Sequence, residues 1–253
     1  PYRLHQPHRA GHHVVTPGGT EGDGQGGRRG QPPPGAGGQD QLDPIVTESL
    51  ALVSPVAAFH QNAERSPEID TFGEPEQFRV NTDENFDQVR PYVGITIDEA
   101  SFRDLELWTS AFYDRYDSLF RERVRQGKIR DGHGDLHMEH ICLTEDLPIF
   151  DCIEFNDRFR YGDTLVDVAF LLMDLEFHGG NAYSKTLWKA YKDYAGEGNV
   201  EELLTFYKVY RAFVRGKVNG FQVSDEGIGE QEKSEAAQLA QAYFRLAHNY
   251  ISG

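Results

Sequence analysis

The chain has 253 residues, 38% hydrophobic and 12% aromatic, with 25 Lys and Arg against 41 Asp and Glu, a formal charge of −16. The apolar share supports a packed core and excludes a fully disordered or collagen-like chain. The acidity argues against nucleic-acid binding, which needs a basic stripe, and no run of about 18 apolar residues is present to span a membrane.

The charge is unevenly spread. Residues 1–40 hold 11 of the 26 Gly, 6 of the 12 Pro, four Arg and three acids, so the acidity belongs to residues 41–253. A Gly/Pro-rich stretch with no apolar period cannot offset its ordering entropy, and 1–40 reads as a disordered tail ahead of a domain over 41–253. Cys142 and Cys152 are too few for a disulfide framework and read as small buried residues of a cytoplasmic protein.

From Leu42 the apolar spacing predicts helices. Leu42 to Glu64 is one, with Pro55 expected to break or restart it. Glu76 to Val93 is a weaker one. Thr96-Ile97-Asp98-Glu99 fits a capping box with Thr96 as N-cap, opening a helix whose stripe includes Phe102, Leu105, Trp108, Phe112, Tyr116 and Phe120 and which ends near Gly127. Ile141–Leu143 and Ile149–Ile153 read as two short strands joined by a turn at Thr144–Pro148. Helix resumes at Asp163 and again over 182–194, 200–216 and 230–250. Arg211, Arg215 and Lys217 are placed on the polar side of their helix, paired with the acidic surface or facing an anionic ligand.

The chemistry concentrates between His133 and Asp167. His133-Gly134-Asp135-Leu136-His137 lies in the loop before the first expected strand, and Asp151 follows 16 residues after Asp135, on the second. A hairpin would bring the two carboxylates together. One could orient or deprotonate a hydroxyl while the other holds a metal, the division of labour that phosphoryl transfer uses. His133, His137 and His140 with Cys142 and Asp151 could instead form a zinc or iron site of a metal-dependent hydrolase.

His133-Gly134-Asp135-Leu136-His137, then Ile149-Phe150-Asp151, then Gly162-Asp163-Thr164-Leu165-Val166-Asp167-Val168-Ala169 resembles the aminoglycoside phosphotransferase family, which has a protein-kinase-like fold. The wording from His137 to Leu143, from Phe150 to Asn156 and from Arg211 to Lys217 is similar to bacterial bifunctional proteins that join such a domain to a P-loop ATP-binding domain. The resemblance implies an α+β, mainly helical fold: the C-terminal lobe of a kinase-like protein, with a short β-hairpin carrying the catalytic loop and the metal Asp. It implies ATP- and Mg²⁺-dependent phosphoryl transfer to the hydroxyl of a small molecule. The acidic charge suits a cationic acceptor such as an aminosugar.

By that resemblance Asp135 is the catalytic carboxylate, His133 supports the loop, and His137 touches substrate or Asp135. Asp151 holds the metal, Asp163 caps the next helix, and Asp167 accepts hydrogen bonds from the loop. Glu154 and Asn156 stand near the metal or the substrate. Two departures stand out. The family's metal-ligating Asn, five residues after the catalytic Asp, is here His140, and Mg²⁺ prefers oxygen. The first Lys is Lys128 and no G-x-x-x-x-G-K-[ST] occurs, so the phosphate-binding Lys of an N-terminal lobe and the P-loop partner are expected to be missing from a fragment. A catalytically inactive, pseudokinase-like binding module is the alternative those departures favour.

Overall fold

The computed structural model describes residues 44–142 and 148–253, with side chains from residue 51 onward. The segment expected to be a disordered tail lies outside the described residues. The described chain is mainly helical with one small antiparallel sheet.

Helix α1 (Pro44–Asn62) runs through Pro55 without a break. Proline removes one helical hydrogen bond. Val53, Val56, Ala57 and His60, spaced along one face, are buried where α1 packs on α7 (Asn181–Ala195), and this packing holds the helix together. The short α2 (Pro67–Asp70) leads into α3 (Pro75–Val89) and the long α4 (Glu99–Arg125). The expected capping box is not used. Asp98 caps α4 by accepting from Ser101 N at 2.9 Å, and Thr96 is buried against Gly220. Helix α4 kinks at Tyr116, whose backbone leaves the helical region.

Strand β1 (Ile129–Asp131) pairs antiparallel with β2 (Tyr161–Asp163), Ile129 opposite Asp163. Between them lie the short α5 (Asp157–Arg160) and the candidate site. The sheet is therefore not the hairpin the sequence suggests. Where strands are expected at 141–143 and 149–153, the described residues form one bridge, Ile141 opposite Ile149, flanked by Cys142 N–H to the Pro148 carbonyl at 3.0 Å and Phe150 N–H to the His140 carbonyl at 3.1 Å; Leu143 and the expected turn residues up to Leu147 lie outside the described residues. A single bridge shelters little, and both cysteines are exposed rather than buried.

Helix α6 (Thr164–Phe177) is the buried axis. Every residue from Thr164 to Asp174 is buried, as befits a helix apolar all round. Helices α7, α8 (Glu201–Phe221) and α9 (Glu230–Ser252) pack around it. One core cluster joins α1, α3, α4, α6, α7 and α8, with Phe112 stacked on Phe206 at 4.5 Å. A second joins α3, α4, α6, α8 and α9 around Phe86, Phe102, Phe170, Phe213, Tyr243 and Phe244. Gly216 lets α8 and α9 approach closely, since a Cβ there would meet the Phe244 ring at 2.8 Å. Among the described residues no helix is long and apolar enough to cross a membrane.

Candidate functional site

The site is built outward from buried charge. Arg123, at the end of α4, donates to Asp163 Oδ1 and Oδ2 at 2.7 and 2.8 Å and pairs on its other side with Glu197. Lys128 Nζ reaches Glu197 at 2.9 Å. Asp163 also caps α6, accepting from Leu165 N at 3.0 Å. One carboxylate thus fixes the start of α6 and ties it to α4 and to β2.

One helical turn later, Asp167 holds the loop. Its Oδ2 accepts from His133 N at 2.7 Å and its Oδ1 from Gly134 N at 2.9 Å. His60 of α1 brings Nε2 within 3.4 Å, its Nδ1 bonded to the Tyr191 hydroxyl at 2.8 Å. Arg211 of α8 stands 3.9 Å away. Full burial would raise the Asp167 carboxyl; His60, Arg211 and the loop N–H groups outweigh it and hold the carboxyl below its ordinary value. Arg211 is buried, its guanidinium over the Phe170 ring at 4.8 Å, so it does not pair with the acidic surface.

Fixed from behind, the loop turns through Gly134 at φ 80°, where a Cβ would meet the Phe159 carbonyl at 2.7 Å. His133 is fully engaged: Nδ1 accepts from Asp135 N at 3.2 Å and Nε2 donates to the Phe150 carbonyl at 2.8 Å. Asp174, buried on α6, accepts from Met138 N at 3.0 Å and holds the far end of the loop. Asp135 points outward. His137 Nε2 lies 3.7 Å and His140 Nδ1 3.6 Å from its Oδ2. Burial would raise the Asp135 carboxyl; His137, Arg211 and His140 outweigh it and lower it.

His140 connects the two expected functional carboxylates. Its Nδ1 lies 2.8 Å from the Asp135 carbonyl, which can only accept, so Nδ1 carries the proton. Its Nε2 faces Asp151 Oδ2 at 3.4 Å. Asp151 has a left-handed backbone, φ 63°, which turns it out of the strand the sequence suggests and leaves its side chain 74% exposed. Among the described residues Asp135, His137 and His140 present ligand atoms within 4.8 Å of one another; His133, Cys142 and Asp151 are not in that group, and Asp151 meets it only through His140. Asn156 caps α5 through Arg158 N, and Glu154 is exposed.

Beside His133 an apolar cleft of about 400 Å³ is lined by Pro55, Phe59, Leu136, Ile149 and Phe150. The arrangement offers an ionised, loop-mounted carboxylate, a second exposed carboxylate with an imidazole between, and a neighbouring apolar recess. His60, Arg123, Arg211 and Asp174 were not singled out as site residues from the sequence. Each acts on a residue at least 36 positions distant.

No protein-family profile matches the chain, and no solved structure matches it. Curated relatives include proteins of Mycobacterium bovis and of two strains of Mycobacterium tuberculosis, each named only as uncharacterized. Each is 34% identical over 221 residues, covering 84% of this chain and 43% of the relative. The chain therefore spans less than half the length of these curated relatives.

Proposed function

We propose that this domain, as the C-terminal lobe of a kinase-like, aminoglycoside-phosphotransferase-like fold, transfers the terminal phosphoryl group of ATP to the hydroxyl of a small molecule. The observation that carries the reading is the clamp of Asp167 on the His133 and Gly134 amides, which fixes the backbone from which Asp135 projects. Phosphoryl transfer depends on such positioning and on charge neutralisation more than on covalent chemistry.

In this reading Asp135 accepts a hydrogen bond from the substrate hydroxyl. Its lowered pKa keeps it ionised near neutral pH, an orienting acceptor more than a strong base. The hydroxyl oxygen bonds to the γ-phosphorus as the bond to the leaving ADP oxygen breaks, and the hydroxyl proton passes to Asp135. The open carboxylates suit a cationic acceptor such as an aminosugar. A divalent cation would neutralise phosphate charge at Asp151. The resemblance implies Mg²⁺ there; Asp151 and Asp135 offer the oxygens it favours, but His140 offers nitrogen, which it does not. The Asp135–His137–His140 group also favours a second reading, a metal-dependent hydrolase. A third, a non-catalytic binding module, draws support from Lys128, the first Lys in the chain, which is engaged by Glu197 and the Ala195 carbonyl.

Melting of the whole chain with millimolar ATP and either Mg²⁺ or Mn²⁺ tests the proposal. A ligand at about 100 times its Kd stabilises the native state by about 2.7 kcal/mol. A rise in Tm that disappears in Asp151→Asn is expected. No rise with either cation would overturn the reading.

A further inference from the structure

Magnesium demands near-octahedral oxygen coordination and dehydrates reluctantly. The cation-facing edge of this site instead pairs one exposed carboxylate with one imidazole. The imidazole is pre-set for ligation. Its Nδ1–H is held by the Asp135 carbonyl at 2.8 Å, so in the neutral ring the free lone pair is on Nε2. A ligating histidine characteristically donates its other ring N–H in this way, which fixes tautomer and ring direction. The lone pair faces Asp151 Oδ2 at 3.4 Å. Two ligands on one ion with bonds of about 2.0–2.2 Å stand about 3–3.5 Å apart. The His137 ring packs at a tilt against the His140 ring, centroids 4.0 Å apart, and restrains it, while His137 itself is buried against Phe170.

We propose that His140 Nε2 and the Asp151 carboxylate form a binding site for a divalent first-row transition-metal ion, which they select over magnesium. Binding to nitrogen-containing sites strengthens from Mn²⁺ to Cu²⁺ and falls back at Zn²⁺, while Mg²⁺ gains little from an imidazole. The proposal deepens the phosphoryl-transfer reading by naming its cation. It also stands without nucleotide, because both ligands belong to the chain.

The test uses the whole chain and the metals alone. Binding of Mn²⁺ is followed by electron paramagnetic resonance, with Mg²⁺ added as competitor, for the wild type, His140→Asn and Asp151→Asn. Metal-free melting curves establish that each variant folds. The wild type is expected to favour Mn²⁺ over Mg²⁺ by roughly tenfold or more. His140→Asn, which replaces nitrogen with an amide oxygen, should bring that ratio toward one. Asp151→Asn should weaken Mn²⁺ binding by at least about 10–100-fold, the range seen when even supporting groups of metal sites are lost. Equal displacement by Mg²⁺, or a ratio unchanged in His140→Asn, would overturn the proposal and leave His140 as a hydrogen-bonding bridge between Asp135 and Asp151. Selective Mn²⁺ binding without any ATP response would retire phosphoryl transfer and keep the metal site. ATP binding without cation selectivity would do the reverse.

Discussion

Four aspartates divide the site into two halves. Asp163 and Asp167 have side chains 1% and 5% exposed, and each is surrounded by a charged partner and backbone N–H groups. Asp135 and Asp151 are 38% and 74% exposed and share one histidine. Burying a charge is tolerable only when it is paired and hydrogen-bonded, so the first two are committed to holding the chain. The second pair has open coordination, available to something from outside. The contrast separates residues that make the loop from residues that use it.

Substitutions can break that contrast. The largest loss is expected from Arg123→Ala, which leaves Asp163 buried without its cation and Glu197 with Lys128 alone. Breaking one side of a buried ion pair typically costs about 3–5 kcal/mol, and urea unfolding would read it. A loss under about 1 kcal/mol, the usual worth of an exposed pair, would mean the scaffold half is not distinct.

Asp167→Asn should cost less, roughly 1.5–3 kcal/mol, the worth of a hydrogen bond to a charged group. It also carries a pH signature. The folded-state pKa of Asp167 lies below the ordinary value of 3.8. Its contribution is therefore complete above that value and is lost as pH falls through the lower, folded-state value. Wild type should lose stability faster than Asp167→Asn as pH drops below about 4, read by melting curves across an acid series. Parallel acid limbs would show that Asp167 is not held ionised by its neighbours.

The smallest effect on stability belongs to the open half. Asp151→Asn should change unfolding by no more than about 0.5 kcal/mol, as surface substitutions do. A large loss on thermal melting would place Asp151 in the scaffold and erase the distinction.

Much of the frame is legible in the sequence. Apolar spacing locates the long helices, and Asp163 with Asp167, four apart at the start of an apolar run, marks the head of α6. What escapes has physical reasons. Strand β1 is only Ile129-Arg130-Asp131, too short to show alternation, and its partner stands 32 residues later in sequence. Thr96 fits an N-cap in the sequence, but tertiary packing buries it and Asp98 caps the helix instead. Pro55 signals a break that burial against α7 overrides. Arg211 reads as a solvated cation because its helix periodicity carries no sign of the buried Asp167 it faces. His60 is not flagged by the sequence at all, because nothing near it in the chain points to Asp167, 107 residues away.

The most direct test of the central claim follows labelled γ-phosphate from ATP to a panel of cationic hydroxyl compounds. The whole chain is compared with Asp135→Asn under conditions where both have the same Tm. The account predicts transfer by the wild type and a fall of about 10²–10⁴ in the variant, the usual worth of a positioned acid–base group. Equal transfer by both proteins, or none from a wild type that binds ATP, would contradict it.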